Sequence, residues 1–184
     1  MTKMYATGLI VVSLLMASSD ALIASCNIDN TLCTNPTPPK LDISYSGHQI
    51  TCNTVQQIGD VTQVPRINFQ QGREGESYIL VFVDPDAPYP CANSDGSSFL
   101  HYAAVVTQGN GELQPSQVLV NYHGPHPPRG THRYQFYVFP WASNQRPVLH
   151  NTDQSRSHFK LNQFKSENSL NEPVAVFQFK VPRA

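Results

Sequence analysis

The chain of 184 residues carries little charge and no excess of either sign. Twelve Lys and Arg residues stand against 13 Asp and Glu residues, so the net charge is −1, and charged residues make up only 14% of the sequence. Proteins that bind duplex nucleic acid usually have a clear basic excess, so nucleic acid is not expected as a partner. The apolar content of 40%, with nine Phe and eight Tyr residues, is enough for a packed core and argues against wholesale disorder.

The sequence also lacks an apolar run long enough to cross a membrane. Its longest run covers residues 8–16, whereas a membrane span needs about 20 residues. This run follows Lys3 and precedes the small residues Ser19 and Ala21, an order typical of a secretory signal peptide. We therefore predict that residues 1–21 are removed by cleavage after Ala21 and that the protein is secreted, with no transmembrane segment.

The cysteines lack the C-x-x-C spacing that is typical of a structural zinc site. There are four of them, and an even number in an oxidising compartment predicts two disulfides and no free thiol. Four cysteines allow three pairings, and the sequence does not choose among them. The cysteines are Cys26, Cys33, Cys52 and Cys91.

The 15 Pro and ten Gly residues follow no period, which excludes collagen and disfavours a helical bundle. A Pro-rich lead-in is predicted over residues 22–40 and a mostly β domain over residues 41–184. One short helix is predicted over residues 153–164. Antiparallel strands are predicted at 41–45, 66–69, 77–83, 102–106, 134–139 and 174–179.

Three stretches place polar groups beside the ends of predicted strands. Asp84-Pro85-Asp86-Ala87-Pro88 follows the most apolar strand, where a carboxylate is costly unless it is paired or functional. His101 begins another apolar strand, and a Gly- and Pro-rich loop at 121–134 ends in His132, Arg133 and Tyr134. Taken singly, the Asp-Pro segment fits a strand cap and His101 fits an ordinary edge residue.

Taken together, the three stretches favour a small pocket for an anion over a metal site. Imidazolium, guanidinium and phenol groups all donate hydrogen bonds to phosphate oxygens, and no strong zinc signature such as H-E-x-x-H is present. The chain also lacks a G-x-S-x-G nucleophile elbow, so we predict a binding protein without enzymatic activity or cofactor. A hydrolase in which these His and Asp side chains activate water, with or without a metal, is the remaining alternative.

The three stretches, in this order and spacing, resemble the phosphatidylethanolamine-binding protein family, which includes Raf kinase inhibitor proteins and plant flowering regulators. The resemblance rests on Asp84 to Pro88, on Leu100-His101-Tyr102, and on the segment 124–134, and it extends over roughly residues 40–180. It implies a large antiparallel sheet packed on a smaller sheet with short peripheral helices, and a pocket at one end.

The resemblance also implies roles for individual residues. Side chains that line a pocket for phosphate or phosphorylethanolamine correspond here to Asp84, His101, His132 and Tyr134. Ala87 and Pro88, joined by a cis peptide bond, correspond to the pocket wall. The opposite rim corresponds to the segment 124–128, which includes Gly124, His126 and Pro128.

Two departures from the family pattern affect this expectation. His126 stands where mammalian members have Gly, which would narrow the pocket or add a donor. The sequence continues only to Ala184, without the C-terminal helix of mammalian members, which would leave the pocket more open.

The expected function is therefore secreted binding of anionic phosphate or phosphatidylethanolamine-type head groups, by a monomer. The alternative is an extracellular serine protease inhibitor or another protein-interaction regulator on the same fold.

Overall fold

Two antiparallel β-sheets make up most of the part of the chain that the computed structural model describes, residues 31–33 and 41–183. The predicted signal peptide and most of the predicted lead-in lie outside the described residues. The strands are β1 (Asp42–Tyr45), β2 (His48–Ile50), β3 (Arg66–Asn68), β4 (Ser77–Asp84), β5 (Phe99–Gly109), β6 (Glu112–Val120), β7 (Thr131–Pro140) and β8 (Ala175–Pro182).

The large sheet has the strand order β6-β5-β4-β7-β8, with β4 at its centre. Because side chains alternate across a strand, Leu80 and Phe82 of β4 face one hydrophobic core and Ile79 and Val81 face another. All four side chains are buried, which confirms the prediction of a central strand covered on both faces.

The small sheet, in the order β2-β1-β3, covers one face of the large sheet. Ile43 and Tyr45 from β1 and Ile67 from β3 share a core with Phe82. The turn between β1 and β2 uses Ser46 and Gly47 with φ values of 49° and 82°, as a two-residue hairpin requires. The predicted fold class, a large antiparallel sheet packed on a smaller one, is confirmed.

The second face of the large sheet is covered by the segment around helix α1 (Leu161–Glu167), where Phe159 and Phe164 are buried. The prediction that this helix begins at residue 153 is wrong. Phe159 exchanges two backbone hydrogen bonds with Ser98, and His158 has a φ of 58°, so neither residue can continue a helix. In the described residues, no helix is long and apolar enough to span a bilayer.

A disulfide between Cys33 and Cys52 ties the short 3₁₀ helix Thr31–Cys33 to the rest of the fold. Cys91 is also disulfide-bonded, and the described part of the chain contains no free cysteine. Cys26 lies outside the described residues. The structure thus settles one pairing that the sequence left open.

Candidate functional site

A pocket of about 510 Å³ opens where β4 ends and β5 begins. Its base and walls come from these strand ends, from the turn between them, from the β6–β7 loop and from the segment that precedes α1. The lining residues are Asp84, Ala87, Pro88, Asn93, Ser98, Phe99, His101, His123, His126, Pro128, Ser157 and His158.

A β-bulge places His101 at the floor of the pocket. Phe82 pairs with Tyr102, and the next residue, Val83, pairs with Leu100, so His101 is the extra residue on β5. Such a bulge re-aims a side chain, and the His101 ring lies against the rings of Phe82 and Tyr134. The alternation of a regular strand would have pointed this side chain to the opposite face of the sheet.

Hydrogen bonding fixes the tautomer of His101. Its Nδ1 lies 2.6 Å from the carbonyl oxygen of His123, which can only accept, so Nδ1 carries a hydrogen and donates it. Burial, and then the nearby His123 and Arg156 side chains, lower the pKa of His101 to about 3, despite the opposing hydrogen bond to the His123 carbonyl. The ring is therefore neutral near pH 7, and its Nε2 presents a lone pair.

Asp84 and His132 form a buried ion pair beside this floor. Asp84 Oδ2 accepts a hydrogen bond of 2.7 Å from His132 Nδ1, while His132 Nε2 donates to the carbonyl oxygen of Arg129 at 2.9 Å. Burial alone would lower the pKa of His132, but the hydrogen bond and charge of Asp84 outweigh it and raise that pKa. Both ring nitrogens are thus hydrogen-bonded within the protein.

The remaining oxygen of Asp84 is also used internally, since Oδ1 accepts a hydrogen bond from the backbone N–H of Asp86. Burial raises the pKa of the Asp84 carboxyl, and its hydrogen bond to His132 opposes this rise. The hydroxyl of Tyr134 is fully buried and interacts with the Asp84 carboxylate. Burial, followed by the charge of Asp84, raises the pKa of Tyr134, so the phenol is neutral.

A second buried ion pair holds the wall that follows β4. The Asp86 carboxylate accepts two hydrogen bonds from the Arg133 guanidinium, through Nε and Nη2, and one from its backbone N–H. The Ala87–Pro88 peptide bond is cis, as the resemblance implied. Asn93 donates a hydrogen bond to the Ala87 carbonyl oxygen, which closes this turn on itself.

The opposite wall carries three exposed histidines, His123, His126 and His158. Burial, and then the charge of Arg156, lower the pKa of His123. Arg156 donates to the carbonyl oxygens of Leu100 and His101, so it anchors the bulge as well as this wall. In the described ranges, no three His, Cys, Asp or Glu side chains converge in a way that could hold a metal ion.

Six of the nine residues predicted from sequence line this pocket, and the other three lie outside its lining. Gly124 packs against the backbone of Thr62, while His132 and Tyr134 are completely buried. The expectation that His132 donates directly to a phosphate is wrong for this geometry, because both of its nitrogens are already bound. Before a ligand binds, burial favours the neutral ring of His101.

Several lining residues were not predicted from the sequence. Ser98 and Phe99 directly precede the predicted His101 motif, and His123 lies inside the loop that was singled out, so proximity to these motifs was the available signal. Ser157 and His158 come from a segment that was predicted to be helical. Long-range contacts bring that segment to the pocket: Phe159 pairs with Ser98, and Arg156 contacts the backbone of Leu100 and His101.

Comparison with known proteins identifies the family to which the chain belongs. The family model described as phosphatidylethanolamine-binding protein matches residues 39–180, and the chain therefore belongs to that family. The chain is 29% identical over 144 residues to Protein TERMINAL FLOWER 1 of Arabidopsis thaliana, covering 78% of this chain and 80% of that protein. It is also 29% identical over 139 residues to CEN-like protein 4 of Nicotiana tabacum, covering 76% of this chain and 74% of that protein.

Solved structures agree on the fold. The phosphatidylethanolamine-binding protein from Plasmodium vivax superposes with a TM-score of 0.62 at 22% identity, covering 79% of this chain and 87% of its own. A second such protein, from Plasmodium falciparum, gives a TM-score of 0.57 at 19% identity, covering 96% of this chain and 100% of its own.

Proposed function

We propose that this protein is a non-enzymatic binder of phosphate-bearing head groups of the phosphorylethanolamine type. The observation that carries the proposal is the pocket of about 510 Å³ built on Asp84, His101 and the cis Ala87–Pro88 bond. Two buried ion pairs hold its floor and wall in place before a ligand arrives, which lowers the cost of ordering the site on binding.

The lining includes the hydroxyl groups of Ser98 and Ser157, but neither of the two buried histidines is suited to activate them. Both nitrogens of His132 are bound by other groups. A neutral His101 with a pKa of about 3 is a weak general base at pH 7, far from the value that favours proton transfer. This arrangement supports binding over hydrolysis as the proposed role of the pocket.

Secretion belongs to the same proposal. The disulfide between Cys33 and Cys52 and the disulfide at Cys91 support an oxidising compartment, since such bonds are rare in the cytosol. The apolar run at residues 8–16 is typical of a secretory signal peptide and would direct the export. N-terminal sequencing of the secreted protein should begin at Leu22, and a membrane-bound product that retains Met1 would contradict the proposal. An extracellular protein partner, such as a serine protease, stays a prediction of the sequence.

Calorimetric titration with phosphorylethanolamine tests the binding proposal. Ser157 lines the pocket with an exposed side chain, so Ser157→Trp should fill the entrance and weaken binding by about tenfold or more. Ser166 is exposed on α1 outside the pocket lining, and Ser166→Trp is the matched control that should bind normally. No measurable binding by the unmodified protein at millimolar ligand would reject the proposal.

A further inference from the structure

The floor of the pocket offers hydrogen-bond acceptors where a phosphate dianion would need donors. His101 donates through Nδ1 to the His123 carbonyl, so its Nε2, which has no partner among the described residues, can only accept. Asp84 adds a buried carboxylate beside it. A fully ionised phosphate has acceptor oxygens only and would face these lone pairs with no proton between them.

Hydrogen-bond donors lie elsewhere around the same pocket. The hydroxyls of Ser98 and Ser157 line the walls. The exposed histidines His123 and His126 add ring N–H groups at the rim. A ligand that suits both regions must carry one donor for the floor together with several acceptors for the wall.

We propose that the pocket selects singly protonated phosphomonoesters, whose P–O–H group donates to Nε2 of His101 while the other phosphate oxygens accept from the wall. This inference rests on the proposed function and narrows its ligand class. A phosphodiester, such as the head group of an intact phospholipid, has the same single negative charge but no P–O–H. Phosphomonoesters are therefore the preferred ligands, and phosphodiesters are poor ones.

The charges around His101 disfavour the alternative in which a protonated His101 ring donates a hydrogen bond to a phosphate dianion. His123, Arg156 and His132 lie nearby, and each disfavours a second proton on the ring. Asp84 favours it, but its charge is already paired with His132. Tyr134 is neutral. The shared proton therefore comes from the ligand.

Three ligands with the same ammonium group test the inference on the intact secreted protein by calorimetry at pH 5.5 and pH 7.5. Phosphorylethanolamine is a monoester, glycerophosphorylethanolamine is the matched diester, and 2-aminoethylphosphonate is a monoester analogue with a higher second pKa. Loss of one hydrogen bond to a charged group makes the diester bind about tenfold or more weakly than the monoester at pH 5.5.

The pH dependence gives the sharper readout. A phosphomonoester has a second pKa of about 6, so its monoanion fraction, and with it the affinity, should fall roughly 20-fold from pH 5.5 to pH 7.5. The phosphonate should show this fall at higher pH. The diester does not titrate in this range, so any change in its affinity between the two pH values measures the contribution of the protein's own groups. The ³¹P shift of bound phosphorylethanolamine at pH 7.5 should remain that of the monoanion.

A variant pair assigns the effect to His101. His101→Phe removes the acceptor, so the preference for monoester over diester should fall to near one, while His48→Phe, an exposed position on β2, should keep it. Equal binding of monoester and diester, or tighter binding of the dianion at pH 7.5, overturns the inference and leaves the proposed function intact. If none of the three ligands binds, the proposed function itself fails. The ligand series needs no variant, so it decides the matter even if His101→Phe does not fold.

Discussion

Protonation of His101 should lower the free energy of unfolding in mild acid, and His101→Gln should abolish this part of the loss. The pKa of this ring is about 3 in the folded protein, because it is buried, and 6.5 is its ordinary value. The folded state binds this proton less readily than the unfolded chain does, so the stability it contributes is present above pH 6.5 and is lost as the pH falls towards 3. The difference of about 3.5 in pKa corresponds to roughly 5 kcal/mol at full protonation and to about 3 kcal/mol at pH 4.

Urea unfolding at pH 7 and pH 4 measures this loss. His101→Gln keeps an amide that can donate to the His123 carbonyl and does not titrate, so this variant should lose about 3 kcal/mol less than the unmodified protein between the two pH values. His48→Gln, at an exposed position, should behave like the unmodified protein. All three proteins share the same carboxylates, so their titration cancels in the comparison. An equal loss in the His101→Gln variant would refute a neutral, buried imidazole.

Two further predictions concern stability away from the floor. A Cβ at Gly124 would lie 3.0 Å from backbone atoms of Thr62, so Gly124→Ala should lower the free energy of unfolding in urea by about 1–3 kcal/mol. A Cβ at Gly59 meets nothing within 4 Å, so Gly59→Ala is the control that should not show this loss. An unchanged unfolding midpoint for Gly124→Ala would contradict this packing. Replacing Cys33 and Cys52 together by Ser releases a crosslink between residues 19 apart, so we expect a loss of about 3 kcal/mol, and equal unfolding midpoints would show that the bond does not constrain the chain.

The strands that could be predicted are those with a strong apolar signal. The bounds of β4 and β7 lie within three residues of the predicted ones, because most side chains in these strands are buried. β6 was missed because Pro115 and its exposed polar neighbours argue against a strand, although a strand at the sheet edge tolerates both. Local pattern thus recovers the core of the large sheet better than its edge.

The chemistry of the site was predictable only in part. Asp84 and His101 stand out as polar groups at the ends of apolar strands, and both line the pocket. The sequence could not show that His132 lies behind Asp84 with both nitrogens bound, since that depends on the pairing of β4 with β7. It also could not show the charge of His101, which burial decides.

Because of the bulge on β5, deleting His101 should have a different effect from substituting it. His101 has no pairing partner on β4, and the bulge puts Leu100 and Tyr102, two positions apart, on opposite faces of the sheet. Deleting His101 would restore regular pairing and keep Leu100 opposite Val83, so both cores would retain their residues while the pocket lost its floor. A substitution at His101 keeps the bulge and changes only the side chain that the bulge presents. A one-residue deletion at this point should therefore fold without a working pocket, whereas a substitution should keep the pocket with altered chemistry.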